Sequence, residues 1–309
     1  MNVNRKEFLK TAGLAALGVT SGVSLTAVAA ASVRTRRRVL RIAHLTDIHV
    51  QPERGAPAGL AACLRHAQSM EDAPDLILNG GDTIMDALGA DRDRVRAQWR
   101  SWNEVIRDEL RLPIEHCVGN HDVWGAGPTG DPDYGKSWAL DEMGLEQPYR
   151  SFDRAGWHFV VLDSTHPSND GWYTAKLDDG QHEWLVSDLE RTDPATPIMI
   201  ISHIPILTVT SFMIDDQAES GDWLVPGTWM HTDARRLVEL FIRHPNVRLC
   251  VSGHMHMVDQ LEYRGVHFLC NGAVSGAWWD GDYFGNRAGY GLIDLFDDGS
   301  FDRAYLHYG

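Results

Sequence analysis

Seven short apolar runs set the rhythm of the chain: residues 39–45 (VLRIAHL), 75–80 (DLILNG), 114–118 (IEHCV), 158–163 (HFVVLD), 197–202 (PIMIIS), 247–252 (VRLCVS) and 266–271 (VHFLCN). Most are nearly unbroken in apolar character, the pattern of strands covered on both faces. Between them the period changes. Val95, Trp99, Trp102, Ile106 and Leu110 recur at three- and four-residue spacing and predict a helix over 93–110. Residues 233–243 (DARRLVELFIR) repeat the pattern, with Thr232 or Asp233 as N-cap and a stop before His244-Pro245. Strands alternating with helices predict an α/β layered fold, with functional residues where strands end. No internal repeat or interdomain linker interrupts residues 38–309, which read as one domain.

Composition narrows the partners. A chain of 309 residues, 43 % hydrophobic, can bury a sizeable core. A formal charge of −15 argues against a nucleic-acid polymer or an anionic membrane as partner. An anionic small molecule stays open if local cations offset that field. Residues 1–31 are a different text: a basic NRKEFLK, then a mildly apolar stretch rich in Ala, Gly, Ser and Thr. The stretch is weakly hydrophobic for a membrane span and ends in small residues that suit a signal peptidase. It resembles a twin-arginine export signal, with Arg5-Lys6 where the arginine pair usually stands. The expectation is an exported protein, periplasmic or secreted, without stable membrane insertion after the signal is removed.

Cys63, Cys117, Cys250 and Cys270 form no C-x-x-C pair, which speaks against a zinc knuckle. Each sits in an apolar run and reads as a buried free thiol, with a Cys250–Cys270 bridge left open.

The residues that follow the strands carry the chemistry. Asp47-Ile48-His49 follows the first run, Gly81-Asp82 the second, Gly119-Asn120-His121-Asp122 the third. His203-Ile204-Pro205 follows the fifth and Gly253-His254-Met255-His256 the sixth. Singly these are weak: a lone His before Pro caps or packs more often than it ligates, and Asn120 alone reads as turn chemistry. Together, mixed oxygen and imidazole donors suit Zn²⁺, Mn²⁺ or Fe. Seven such groups exceed one tetrahedral site and suit two adjacent metals sharing a carboxylate.

The ordered motifs D-x-H, G-D, G-N-H-D, H-x-P and G-H-x-H, spanning residues 47–256, resemble the calcineurin-like metallophosphoesterase family. The resemblance implies a four-layer α/β/β/α sandwich with two divalent ions at strand C-terminal ends. One ion would take Asp47, His49 and His256, the other Asn120, His203 and His254, with Asp82 bridging. His254 and His256 would therefore serve different ions. The D-x-H form of the first motif sets the chain apart from purple acid phosphatases. The implied reaction is hydrolysis of small phosphate esters, phosphodiesters first, by a metal-bridging hydroxide with His121 as general acid. A phosphomonoesterase or pyrophosphatase on the same scaffold is the alternative, and a non-catalytic metal-binding protein ranks behind both. Relatives often steady that imidazole with an acidic residue three positions after the bridging Asp. Here that position is Met85, so Asp86 after a one-residue shift, Asp122 or solvent is the expected partner.

Two long loops, 123–138 and 207–231, start beside these motifs and read as pocket walls able to stack on a base or cover an acyl group. Their aromatics (Trp124, Tyr134, Trp138, Trp223, Trp229) taken singly read as pins to the core, as do Trp278 and Trp279. His231 reads as a surface residue. His44, His116, His158 and His267 lie inside strands and read as core or cross-strand groups.

Overall fold

The alternation inside each apolar run decides the layering. In chain order the elements are β1 (Arg38–Leu45), α1 (Ala56–Gln68), β2 (Leu76–Asn79), α2 (Arg92–Glu109), β3 (Ile114–His116), α3 (Ser137–Met143), β4 (Arg150–Arg154), β5 (Trp157–Leu162), β6 (Thr165–Pro167) and β7 (Tyr173–Ala175). There follow α4 (Asp179–Arg191), β8 (Ile198–Ser202), α5 (Ala234–Arg243), β9 (Val247–Ser252), β10 (Asp259–Tyr263), β11 (Val266–Cys270), β12 (Tyr290–Phe296) and β13 (Phe301–Leu306). This computed structural model describes residues 35–168, 173–214 and 221–309, and Arg36–Gly309 is one compact unit. The signal-like segment 1–31 lies outside the described residues.

One sheet has the order β13-β12-β1-β2-β3, the other β10-β11-β9-β8-β5-β4. β1, β2 and β3 run parallel, as do β5, β8, β9 and β11, while β12, β13, β4 and β10 join antiparallel. Ile42, Leu78, Phe159, Val161, Ile201, Val251 and Ile293 meet in one buried cluster fed by both sheets. Their chain neighbours face the other way. Ala43 and Ile77 pack with Leu60 and Leu64 of α1 and Trp99 of α2. Val160, Leu162 and Ile200 pack with Leu185 of α4 and Leu237 and Phe241 of α5. The result is the α/β/β/α order of four layers, with strands that read as solid apolar runs because each serves two cores.

Both predicted helices form, α2 capped by Asp91, whose side chain accepts from the Arg94 amide at 2.8 Å. Asp233 takes the N-cap position of α5, without a side-chain cap bond. Several elements escape the apolar pattern. β4, β10 and β13 are edge strands with one face open to solvent, so pairing rather than hydrophobicity defines them. In α1, Pro57, Gly59 and many alanines mute the helical period. All four cysteines are buried free thiols, so the Cys250–Cys270 bridge is absent. Among the described residues no helix is long and apolar enough to cross a membrane.

Candidate metal centre

The motif residues converge because five parallel strands end at the same edge of the sandwich. Asp47 and His49 leave β1, Asp82 leaves β2, Asn120 and His121 follow β3, His203 follows β8, and His254 and His256 follow β9. Backbone bonds stitch the loops: the Asp47 amide donates to Gly81 O (3.0 Å), His49 to Asp82 O (2.9 Å) and Gly253 to His203 O (3.0 Å). The two sheets are tied by the His254 amide, 2.8 Å from Asp47 Oδ2. Asp47, His49, Asp82, His254 and His256 all have φ between 48° and 70°. That region is sparsely populated for residues with a Cβ, and such backbone persists where the surroundings over-determine it. Gly253 is required there: a Cβ would lie 1.9 Å from Thr46 Oγ1 and 2.4 Å from Asp47 Oδ2.

Asp47, His49 and His256 form one donor cluster and Asp82, His203 and His254 another, while His121 gathers with His49 and Asp82, one residue from each. His49 Nε2 lies 3.0 Å from His256 Nε2, and His256 Nε2 3.5 Å from Asp47 Oδ1. Asp82 Oδ2 sits between the clusters, 3.1 Å from His203 Nε2 and 3.7 Å from His49 Nε2. Asp82 Oδ1 accepts from the His121 amide at 2.8 Å. His254 and His256 therefore part company, one to each cluster, because Gly253 ends the strand before them.

Ring orientation is fixed from behind. His203 Nδ1 bonds Gly80 O (2.9 Å), His254 Nε2 bonds Thr228 O (2.7 Å) and His256 Nδ1 bonds Gly276 O (2.6 Å). In each ring the carbonyl takes the N–H of one nitrogen and turns the other nitrogen inward, the arrangement of metal-binding histidines. Asn120 Oδ1 and His254 Nδ1 are buried and make no hydrogen bond among the described residues. Buried polar atoms without partners are rare, and oxygen and imidazole donors aimed inward together fit divalent cations. Burial keeps the His49 and His256 imidazoles low and His254 down at about 3, the neutral form a cation needs. Burial would also lower His203, but the adjacent Asp82 carboxylate outweighs it and lifts the imidazole to about 9. Burial would raise Asp82, and the imidazoles of His203 and His121 outweigh it, holding the carboxylate well below its usual range.

His121 lines the cleft over these residues, and its Nδ1 donates to the Met85 carbonyl at 2.7 Å. The partner expected as Asp86 or Asp122 is thus a main-chain oxygen of the residue three beyond Asp82. Asp86 instead accepts from the Gly89 amide, and Asp122 accepts from the amides of Thr83, Ile84 and Gly119. Asp122 is a brace between two motif loops. His231 is not on the surface: it is buried between Ser202 Oγ (3.3 Å) and Asp233 Oδ1 (2.9 Å). His44, His116 and His158 are buried strand residues as expected, while His267 is partly exposed against Phe301.

The long loops divide. Trp124 and Trp138 are buried pins, and Trp223 is 58 % exposed. Trp229 and Trp278 line the cleft with Tyr173 and Tyr283. Trp278 lies over His256 with centroids 4.3 Å apart, and Trp279 Nε1 donates to His49 O at 3.0 Å. The backbone carbonyls of Thr228 and Gly276 and the hydroxyl of Ser275, which donates to Asp47 O, carry no motif of their own. They act through main-chain geometry that a side-chain pattern does not record.

Comparison with known proteins agrees with this geometry. The chain is 26 % identical over 278 residues to a protein of Synechococcus sp. described as a probable cyclic nucleotide phosphodiesterase, covering 87 % of this chain and 92 % of that one. It is 23 % identical over 240 residues to a 3′,5′-cyclic-nucleotide phosphodiesterase of Nostoc sp., covering 74 % and 76 %. The fold is shared with a dimetal phosphatase from Danio rerio (TM-score 0.62, 12 % identity, 88 % of this chain and all of the other). It is also shared with a purple acid phosphatase from yellow lupin (TM-score 0.55, 16 % identity, 87 % and 51 %). Residues 40–258, which carry all five strand-end motifs, match the Calcineurin-like phosphoesterase family, and the chain belongs to it: it is a metal-dependent phosphoric ester hydrolase.

Proposed function

We propose that the chain hydrolyses phosphodiesters of small molecules at a dinuclear centre, with Asp47, His49 and His256 on one ion, Asn120, His203 and His254 on the other, and Asp82 shared. One observation carries this reading: Asp82 Oδ2 stands between two clusters of inward-facing donors, 3.1 Å from one and 3.7 Å from the other. A divalent pair supplies Lewis acidity, activating water towards phosphorus and compensating phosphoryl charge. It also reconciles a chain of charge −15 with an anionic substrate. His121 has its Nδ1–H held by Met85 O, so in its charged form Nε2–H faces the cleft and would protonate the departing alkoxide. Trp229, Trp278 and Tyr283 line the cleft around these groups.

The diester preference and a cyclic nucleotide as substrate are supported by the two cyanobacterial relatives. The donor set is compatible with Mn²⁺, Fe or Zn²⁺. Work outside the cytoplasm is supported by the export-signal-like text of residues 1–31. The test is turnover of bis(p-nitrophenyl) phosphate against p-nitrophenyl phosphate with each metal, then of 3′,5′-cyclic nucleotides and glycerophosphodiesters. Faster diester than monoester hydrolysis is expected. Monoester preference would turn the reading to a phosphomonoesterase, and no hydrolysis of any ester with any metal would refute it.

A further inference from the structure

The cleft over the donor clusters has a volume of about 160 Å³. That is below the ~300–1,000 Å³ of sites that enclose a small organic molecule. It can take a phosphoryl group, and the organic part of an ester would extend beyond it. A second cavity of about 420 Å³ lies alongside. Tyr173 lines both, and its ring meets His254 edge-on with centroids 6.3 Å apart.

The second cavity is walled by Trp124, Tyr134 and Lys136 on one side and Thr165 and Tyr173 on the other. Its aromatic wall is preformed. Trp124 and Gly135 exchange backbone bonds of 2.8 and 2.9 Å, closing the loop on itself. Trp124 Nε1 donates to Ala90 O at 3.0 Å, and the Arg92 guanidinium covers its ring at 4.5 Å. A wall already ordered adds little entropic cost to binding.

The charges of the cavity are spent. Lys136 Nζ donates to the Asp163 carboxylate and to Thr165 O, and His166 Nε2 stands 3.4 Å from Asp178 Oδ2. With its lysine neutralised, the cavity suits a neutral ligand better than a second phosphate. It is not purely apolar either: Thr165 is 3 % exposed and its hydroxyl makes no hydrogen bond. A buried hydroxyl without a partner between aromatic walls calls for a flat group with hydrogen-bonding atoms at its edge.

Resting on the phosphodiesterase reading, we propose that this cavity holds the heterocyclic base of a nucleotide ester whose phosphoryl group sits in the adjoining cleft. Base stacking on Tyr134 or Tyr173 would supply affinity, and the Thr165 hydroxyl would read the base edge.

The test is equilibrium dialysis of labelled adenosine and cytidine against the metal-loaded full chain. Thr165→Val removes the hydroxyl at nearly constant volume, and Leu88→Trp, from another lining position, fills the space. Metal content and circular dichroism check that both variants fold. At least one nucleoside should bind the wild type. Thr165→Val should weaken that binding about three- to tenfold, and Leu88→Trp more. In turnover, both should lower kcat/KM for 3′,5′-cyclic AMP relative to bis(p-nitrophenyl) phosphate, the loss falling in KM. Absence of binding to the wild type at about 10 mM, or equal binding to folded forms of all three, would overturn the assignment. Sensitive nucleoside binding in a protein that cleaves no phosphodiester would uphold the cavity and refute the catalytic reading.

Discussion

At the scale of single residues the two imidazoles His121 and His203 behave oppositely, and each makes a prediction. His121 stands with His49 and Asp82, its Nε2 4.0 Å from Asp82 Oδ2, but is not among the seven ligands proposed for the two ions, and a carbonyl orients it. His121→Ala should therefore keep its metal while losing about 10²–10⁴-fold in kcat on alkyl esters. The loss should be smaller on p-nitrophenyl esters, whose leaving group departs without a proton. Metal analysis beside kinetics on both ester types checks this. His203, held at about 9 by Asp82 in the metal-free chain, must give up its proton to a cation. Uptake at pH 7 should release that proton, and affinity should fall about tenfold per pH unit below 9. Titration calorimetry of chelator-stripped protein in buffers of different ionisation enthalpy measures the proton count. The residues of the centre were legible in the sequence because strand ends of an α/β fold advertise their chemistry through Gly-framed Asp, Asn and His. The Met85 carbonyl was not, because any residue there offers the same oxygen.

At the scale of elements, the loops work because they approach more closely than side chains allow. Gly253→Ala would drive a methyl into Thr46 and Asp47. It should cost about 1–3 kcal/mol of stability and lower metal occupancy, read by thermal melting and metal analysis. The edge of the second sheet offers an independent test. His158 on β5 bonds Asp153 of β4 at 2.6 Å and Asp188 of α4 at 2.9 Å. The hydrogen bond to Asp188, helped by Asp153, raises His158. Burial would raise Asp188, but His158 and Ser151 outweigh it and hold it low. The His158 contribution is complete below the unfolded value near 6.5 and fades as pH climbs through the raised folded value. The Asp188 contribution is complete above about 3.9 and fades as pH falls through its lowered value. The Tm deficit of His158→Gln should thus be greatest at about pH 4–6.5 and shrink in alkali. A deficit that does not change with pH would show that the ring acts by packing alone. Most strands with both faces buried announced themselves in sequence, though β12, buried along nearly its whole length, is not among the seven apolar runs. β4, β10 and β13 did not, since an edge strand is made by its neighbour.

At the scale of the molecule, two sheets share one inner core through Ile42, Phe159, Ile201 and Val251, and that shared core brings the ends of β1, β2, β3, β8 and β9 to one place. The α/β class followed from strand–helix alternation, while the four-layer order was implied by the resemblance of the strand-end motifs to a known family. The 123–138 loop read as a pocket wall able to stack on a base, but the far side of the cavity did not, because it depends on how that loop closes against β6 and β7 rather than on any motif. The central claim, that Asp82 joins two ions into one centre, is tested most directly by counting metal per chain in wild type and Asp82→Asn by mass spectrometry, with bis(p-nitrophenyl) phosphate turnover on the same samples. About two ions per active wild-type chain and loss of both metal and turnover in the variant are expected. Full metal occupancy in Asp82→Asn, or a fully active wild type with a single ion, would contradict that claim.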